Sequence, residues 1–280
     1  MEYHSDRFHD FSALIYLDNV PVSVFPASID NSSYHVTSHG GLTFGGPVFV
    51  KNLRGSSALE AIDALLGSLK QWGAKSLTVK LLPDAFCSYP SSEAAYAFWR
   101  RGFQVVRRDL SSLLPLDDSL PVNKSKMQAS RKGIKAGLTC APVPAETFHS
   151  LLEGVLLAQH GAKPVHSCAE LELLSSRFPD DILTSGAWLS GRLLAATMIF
   201  KYGHVWHTQY MASSDEGRNL GALDLVLETV IAMGRESGVK YLSFGSSTED
   251  GGMILNEGLM WQKESYGARS VTHDFMAGSL

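Results

Sequence analysis

Between Leu59 and Trp72 the residues Leu59, Ile62, Leu65, Leu66, Leu69 and Trp72 recur at the intervals of one helix face. Ser57-x-x-Glu60 ahead of them reads as a capping box and Gly73 as the stop, so a helix is predicted here with Trp72 in the core. A second stripe, Phe148, Leu151, Leu152 and Val155, follows Pro144 and predicts a helix to about Gln159. Ser167-x-x-Glu170 caps another that ends near Phe178-Pro179. Glu93 to Arg101 (EAAYAFWRR) is a short helix with Trp99 on its core side, and Lys124 to Lys135 is a basic helical run ending at Gly137. A long apolar-faced helix starts after Gly221 and reaches about Glu236.

Strand patterns fill the gaps. Ala13 to Leu17, a turn at Asp18-Asn19, and Val20 to Ile29 read as a hairpin whose prolines mark edges or bends. Residues 34–50 (YHVTSHGGLTFGGPVFV) continue in strand-forming residues around two Gly-Gly pairs, and Ser76 to Leu82 is a further strand. Ala187 to Leu189, the turn Ser190-Gly191 and Leu193 to Phe200 form another hairpin, followed by the strand HVWHTQYM that ends at Met211. Leu113 to Val122 carries Pro, Leu and Asp without periodicity and is the expected linker.

The order of elements repeats. Gly238-Val239-Lys240-Tyr241-Leu242 answers Gly73-Ala74-Lys75-Ser76-Leu77, and Tyr266-Gly267-Ala268 answers Arg101-Gly102-Phe103 at the same offset. An internally duplicated mixed β/α unit is therefore expected, with units 1–120 and 121–280; a single continuous sheet is the alternative.

Composition narrows the class. The 280 residues are 45% hydrophobic and 19% charged with a net charge of -4, which describes a globular chain with no footprint for broad nucleic-acid or anionic-membrane binding. Cys87, Cys140 and Cys168 lie far apart without metal-ligand spacing, so neither disulfides nor a zinc site is expected and a reduced, cytoplasmic setting fits. No apolar run approaches the roughly 18 residues of a membrane span. GxSxG, Walker A and HExxH patterns are missing from the sequence.

The stretch from His204 to Met233 carries the most specific chemistry. A strand ends at Met211, a polar turn with Gly217 follows, then Arg218-Asn219-Leu220-Gly221-Ala222 and a long helix. A glycine-rich turn entering a helix aims free amides at one point and adds the positive end of the helix dipole, which is the physics of a pyrophosphate site. The Asp215-Glu216 pair weakens such a site unless it points outward.

The segment resembles the acyl-CoA pyrophosphate loop of the GNAT acyltransferase superfamily, with Leu223 where that pattern has a second small residue. Three further patterns are similar to the FemAB-like branch with its tandem GNAT-like units: Ser38-His39-Gly40-Gly41-Leu42-Thr43-Phe44-Gly45-Gly46; Arg131-Lys132-Gly133-Ile134-Lys135-Ala136-Gly137; and Phe244-Gly245-Ser246-Ser247 with Asn256-Glu257-Gly258-Leu259 and Gln262-Lys263 before Gly267-Ala268. Gln262 stands where the family has an aromatic. The resemblance implies an α/β fold (α+β mixed) of two tandem GNAT-like units with mixed sheets flanked by helices, the first on the acceptor side and the second on the donor side.

The same resemblance implies an N-acyltransferase that moves an acyl group from acetyl-CoA or another acyl-CoA to an amine of a small molecule, such as an amino sugar or amino acid derivative. Gln209, Tyr210 and Met211 would face the pantetheine arm, and Gly217, Arg218, Asn219, Leu220, Gly221 and Ala222 the pyrophosphate. Lys263 would stabilise charge at the reacting carbonyl, Glu249 or Asp250 would take the amine's proton, and Tyr210 and His39 are further candidates, the latter facing an acceptor cleft. Each has a plainer reading: a solvated helix lysine, a turn-forming acid pair, a half-buried strand tyrosine, a loop histidine bonded to backbone. No metal is expected. In a second reading the donor is aminoacyl-tRNA, gripped by Lys124, Lys126, Arg131, Lys132 and Lys135; in a third the chain is a non-catalytic binding subunit.

Overall fold

The computed structural model describes residues 5–117 and 120–280. The chain runs through β1 (His9–Asp10), β2 (Ala13–Leu17), β3 (Val20–Phe25), β4 (Ser28–Asp30), β5 (His35–Thr37), β6 (Val48–Phe49), α1 (Ser56–Gln71), β7 (Ser76–Lys80), α2 (Glu93–Arg100) and β8 (Gln104–Pro115). It continues with α3 (Lys124–Lys135), β9 (Thr139–Pro142), α4 (Ala145–His160), α5 (Cys168–Arg177), β10 (Ile182–Leu189), β11 (Arg192–Tyr202) and β12 (Val205–Ser213). The last elements are α6 (Asp215–Leu220), α7 (Ala222–Glu236), β13 (Tyr241–Ser246), β14 (Thr248–Glu249), β15 (Ile254–Leu255), α8 (Glu257–Glu264) and β16 (Arg269–Ser279).

Two compact units form, and they do not follow chain order. The first takes the described residues up to Leu110 together with Thr248–Ile254 and Thr272–Leu280; the second takes those of Ser111–Ser247 and Leu255–Val271. A division at residue 120 therefore misses the closing strand. Residues Phe275 to Ser279 of β16 pair antiparallel with Lys80 to Ser76 of β7 inside the first unit. The expected linker is also half core. Leu113, Leu114 and Leu116 are buried, and Ser111 to Pro115 pair with Ser246 to Tyr241 of β13 in the second unit. A strand covered on both faces shows no alternation, which is why the segment lacks a pattern. Asp118 and Ser119 of that segment lie outside the described residues.

In the first unit the strand order is β1-β4-β5-β7-β16, with a separate three-stranded sheet β2-β3-β6. Helix α1 buries Ala58, Ala61, Ile62, Leu65 and Leu69 against Phe25, Val36, Leu77, Phe98 and Phe103. Its N-cap is Gly55 with no side-chain cap bond, so the expected Ser57 capping box does not form. Trp72 and Trp99, expected in the core, are 56% and 63% exposed. Trp72 lies one residue past the end of α1 and rests edge-on against Phe11, whereas Ala94, Ala97 and Phe98 supply the buried face of α2.

In the second unit β13-β12-β11-β10-β9 carry helices on both faces. Helix α7 turns Ala222, Leu225, Val226, Val230 and Ile231 onto Ala195, Ile199, Trp206 and Leu242. Helices α4 and α5 set Phe148, Leu152 and Leu171 against Ala196, Met198 and Ala212 on the opposite face. The Ser167 capping box is present in both directions, and Gly161 closes α4 in the left-handed region.

Candidate functional site

Strands β12 and β13 run parallel for three residue pairs, Val205↔Tyr241, Trp206↔Leu242 and His207↔Ser243, and then part. Thr208 Oγ1 donates to the Ser243 carbonyl at 3.1 Å and His207 Nδ1 lies 3.0 Å from Ser243 Oγ, so the crotch of the fork is bonded shut. Past it β12 continues to Ser213 with β11 on one side and, among the described residues, no strand on the other. The register with β11 slips where Met198 faces Tyr210 and Ile199 faces Thr208, making Gln209 the extra residue of a bulge. Gln209, Tyr210 and Met211, predicted to meet the acyl donor, thus stand together on an open strand edge. Such an edge offers backbone donors and acceptors to an extended ligand.

Lys263 lies on α8 and is 3% exposed. Its Nζ donates to the carbonyls of Gly245 at 3.0 Å and Ser246 at 2.5 Å and to Ser247 Oγ at 2.8 Å, gathering the end of β13 as it turns out of the sheet. Burial pushes its pKa down to about 8. The plainer expectation of a solvated lysine is therefore wrong, since all three ammonium protons are engaged inside the second unit. The local sequence explains the placement: Asn256 caps α8 by accepting from Leu259 N at 2.9 Å, while its own N–H reaches Ser247 O at 2.8 Å.

The predicted phosphate loop folds differently from an open nest. Residues 215–220 form the helical turn α6, capped by Ser214, whose Oγ accepts from Gly217 N at 3.0 Å. Gly221 takes φ 71° and its N–H donates to Arg218 O. A Cβ on Gly221 would lie 2.3 Å from the Ala129 carbonyl oxygen, and one on Gly133 would lie 3.1 Å from that of Leu220, so these glycines let α3 pack directly on the loop. Arg218 donates to Ser213 O at 2.8 Å and pairs with Asp215, while Glu216 pairs with Arg192. Asn219 O accepts from Lys132 Nζ at 2.6 Å. Ala222 is buried, and Asp224 in the first turn of α7 bonds Lys126 at 3.1 Å and the Tyr266 hydroxyl. Burial and the neighbouring Asp224 carboxylate push that phenol well above its ordinary range.

His39 and Glu249 belong to the first unit. His39 is 1% exposed with φ 39°, its Nδ1 accepting from Gly41 N at 3.2 Å, as a loop histidine bonded to backbone would. Glu249 is exposed on β14. Tyr210 stays in the second unit with Lys263 and has a partner that sequence reasoning missed: its hydroxyl is 2.6 Å from Nδ1 of His166, on the connection from α4 to α5. Only the adjacent Ser167 cap gave that connection a signal. Among the described residues no group of three or more His, Cys, Asp or Glu could hold a metal ion, and no helix is long and apolar enough to cross a membrane.

Residues 127–250 match the family model described as the acetyltransferase (GNAT) domain. The chain is similar to the crystal structure of FemX over 98% of its own length and 88% of FemX, with 14% identity and a TM-score of 0.70. A tandem GNAT protein from the clavulanic acid biosynthesis pathway is similar over 98% and 85% of the two chains, with 12% identity and a TM-score of 0.52. The chain has the fold of FemX, and within it residues 127–250 match the GNAT domain. L-PGS from Bacillus licheniformis shares this fold at 12% identity and a TM-score of 0.65, over 95% and 83% of the two chains. A search of curated protein sequences returned no match. In the second unit the forked strands, the bulge at Gln209 and α7 lie within the residues that the family model matches.

Proposed function

We propose that this GNAT-type chain transfers an acyl group to an amine, with the acyl donor extended along the open edge of Gln209, Tyr210 and Met211. The observation that carries the reading is the fork between β12 and β13, whose register ends at His207↔Ser243 while β12 runs on past its bulge. Backbone groups on that edge hydrogen-bond a donor arm and hold its carbonyl where an amine can attack; catalysis of this kind rests on positioning and fixed dipoles. The Lys263 ammonium fixes the end of β13 and adds positive potential there. Acetyl-CoA is the donor that the sequence patterns favour, and an amino sugar or amino acid derivative the acceptor.

A second reading, an aminoacyl ester of tRNA as donor, is favoured by the state of the predicted phosphate loop. The amides of Gly217 and Gly221 and the Arg218 guanidinium are already engaged, and Asp224 carries negative charge into the first turn of α7. Lys124, Arg131, Lys132 and Lys135 of α3 are exposed, though Lys132 also bonds the Asn219 carbonyl. Thermal unfolding with acetyl-CoA, longer acyl-CoAs, aminoacylated tRNA and uncharged tRNA separates the donors. A ligand at 100 times its Kd stabilises the fold by about 2.7 kcal/mol, a clear rise in Tm. Stabilisation by acetyl-CoA is the expected outcome; a response to charged tRNA alone replaces it with the second reading, and no response to any donor refutes both.

A further inference from the structure

Tyr210 is the first residue beyond the bulge, and its side chain leaves β12 on the face covered by α4 and α5, with ring centroids 6.4 Å from Phe148 and 5.8 Å, edge-on, from His166. Its hydroxyl and His166 Nδ1 are 2.6 Å apart. His166 is only 6% exposed, and its backbone is held by His149, whose Nε2 lies 3.2 Å from the His166 carbonyl oxygen. Tyr210 itself is half-buried. A half-buried phenol on the donor edge, backed by a buried imidazole, has the layout of an acid-base pair in which one member meets the substrate and the other stores the proton. A carbonyl partner would satisfy the same hydroxyl but could not take its proton; an imidazole can.

We infer that Tyr210 and His166 form the proton relay of the acyl transfer, Tyr210 as a catalytic residue touching the amine and His166 as a positioning residue acting through it. The inference rests on the proposed function. The amine nitrogen adds to the acyl carbon, forming the N–C bond, and the C–S bond of a thioester, or the C–O bond of an ester, breaks. With its own proton on Nε2, His166 accepts the phenolic proton at Nδ1 as the Tyr210 oxygen takes the proton from the amine. The imidazolium returns that proton through Tyr210 to the departing thiolate or alkoxide, so amide and free thiol or alcohol are the only products.

The test compares wild type, Tyr210→Phe, His166→Gln and the double variant, using acetyl-CoA or aminoacylated tRNA against a panel of amino sugars and amino acids. Each single variant is expected to lower kcat by about 100-fold, the usual scale for a positioned acid-base group. Donor Kd should change far less than kcat, because the edge would hold the donor through backbone groups, and Tm should fall by no more than a few degrees. Because the two act as one unit, the double variant should turn over no more slowly than the worse single variant. Full kcat in Tyr210→Phe, or losses that multiply in the double variant, would overturn the relay while leaving acyl transfer standing. A wild type that binds and turns over neither donor overturns the acyl-transfer reading itself, and the relay with it.

Discussion

In each unit a parallel strand pair forks, β5 with β7 in the first and β12 with β13 in the second, and the two forks end differently. In the first unit β5 and β7 pair through Thr37↔Thr78, after which the chain zips the gap closed. Ser38 N donates to Thr78 O, Ser38 Oγ accepts from Lys80 N at 2.7 Å, and Gly45 N reaches Lys80 O. Lys80 Nζ then binds the carbonyls of His39, Gly40 and Leu42 at 3.2, 3.0 and 2.8 Å. In the second unit, nothing comparable crosses the fork beyond the Thr208 hydroxyl among the described residues, and Lys263 ties the end of β13 to itself from α8. Both ammonium groups collect three acceptors, and burial pushes both down to about 8. One device, a lysine gathering three acceptors, closes a fork when it comes from within the strand pair and leaves it open when it comes from a following helix. The Ser38 to Gly46 segment, singled out for its glycines, is in this light a plug; a Cβ on Gly45 would lie 2.0 Å from the Ser38 carbonyl oxygen.

The comparison can be broken most severely at that glycine. Gly45→Ala forces the plug off β7 and should destabilise the protein by about 3 kcal/mol, the upper range for overpacking a tight site. Urea unfolding measures the loss, and donor binding by the folded protein should survive because the open fork lies in the other unit. Lys80→Met and Lys263→Met each strand three acceptors and should cost about 2 kcal/mol at pH 7.

The two lysines also predict a pH dependence. With folded values near 8 against an ordinary 10.5, the unfolded chain holds more protons between those limits, so their contribution to stability rises with pH from about 8 upward. Stability should therefore climb between pH 8 and 9.5 in wild type, and each Lys→Met variant should flatten the climb; an unchanged slope would show that the ammonium groups are better solvated than their contacts imply. The smallest effect is expected for Thr208→Val, which removes the last bond across the open fork and should cost about 1 kcal/mol. Donor affinity in that variant, read by calorimetry, sharpens the comparison by showing whether the width of the fork matters.

Much of this was legible before folding. The stripes of α1, α4 and α7, the Ser167 cap and the Ala187 to Phe200 hairpin follow from local period and capping chemistry. The site was less legible. The strand pattern put Gln209, Tyr210 and Met211 on one strand, β12, but the Gly217 to Ala222 loop was read as a ring of free amides because glycine spacing cannot distinguish a glycine that exposes backbone from one that admits a neighbouring helix. His166 had no pattern to announce it.

Sequence alone determined most of the elements and their order, since periodicity, caps and turn residues act within a few positions of the chain, while the FemAB-like plan came from a resemblance of motifs. Tertiary structure decided which fork stays open, that Gly221 receives α3, that Lys263 is buried, and that the closing strand returns to the first unit. Those outcomes depend on backbone segments far apart in the chain meeting within hydrogen-bond or van der Waals distance, and no local pattern encodes such a meeting.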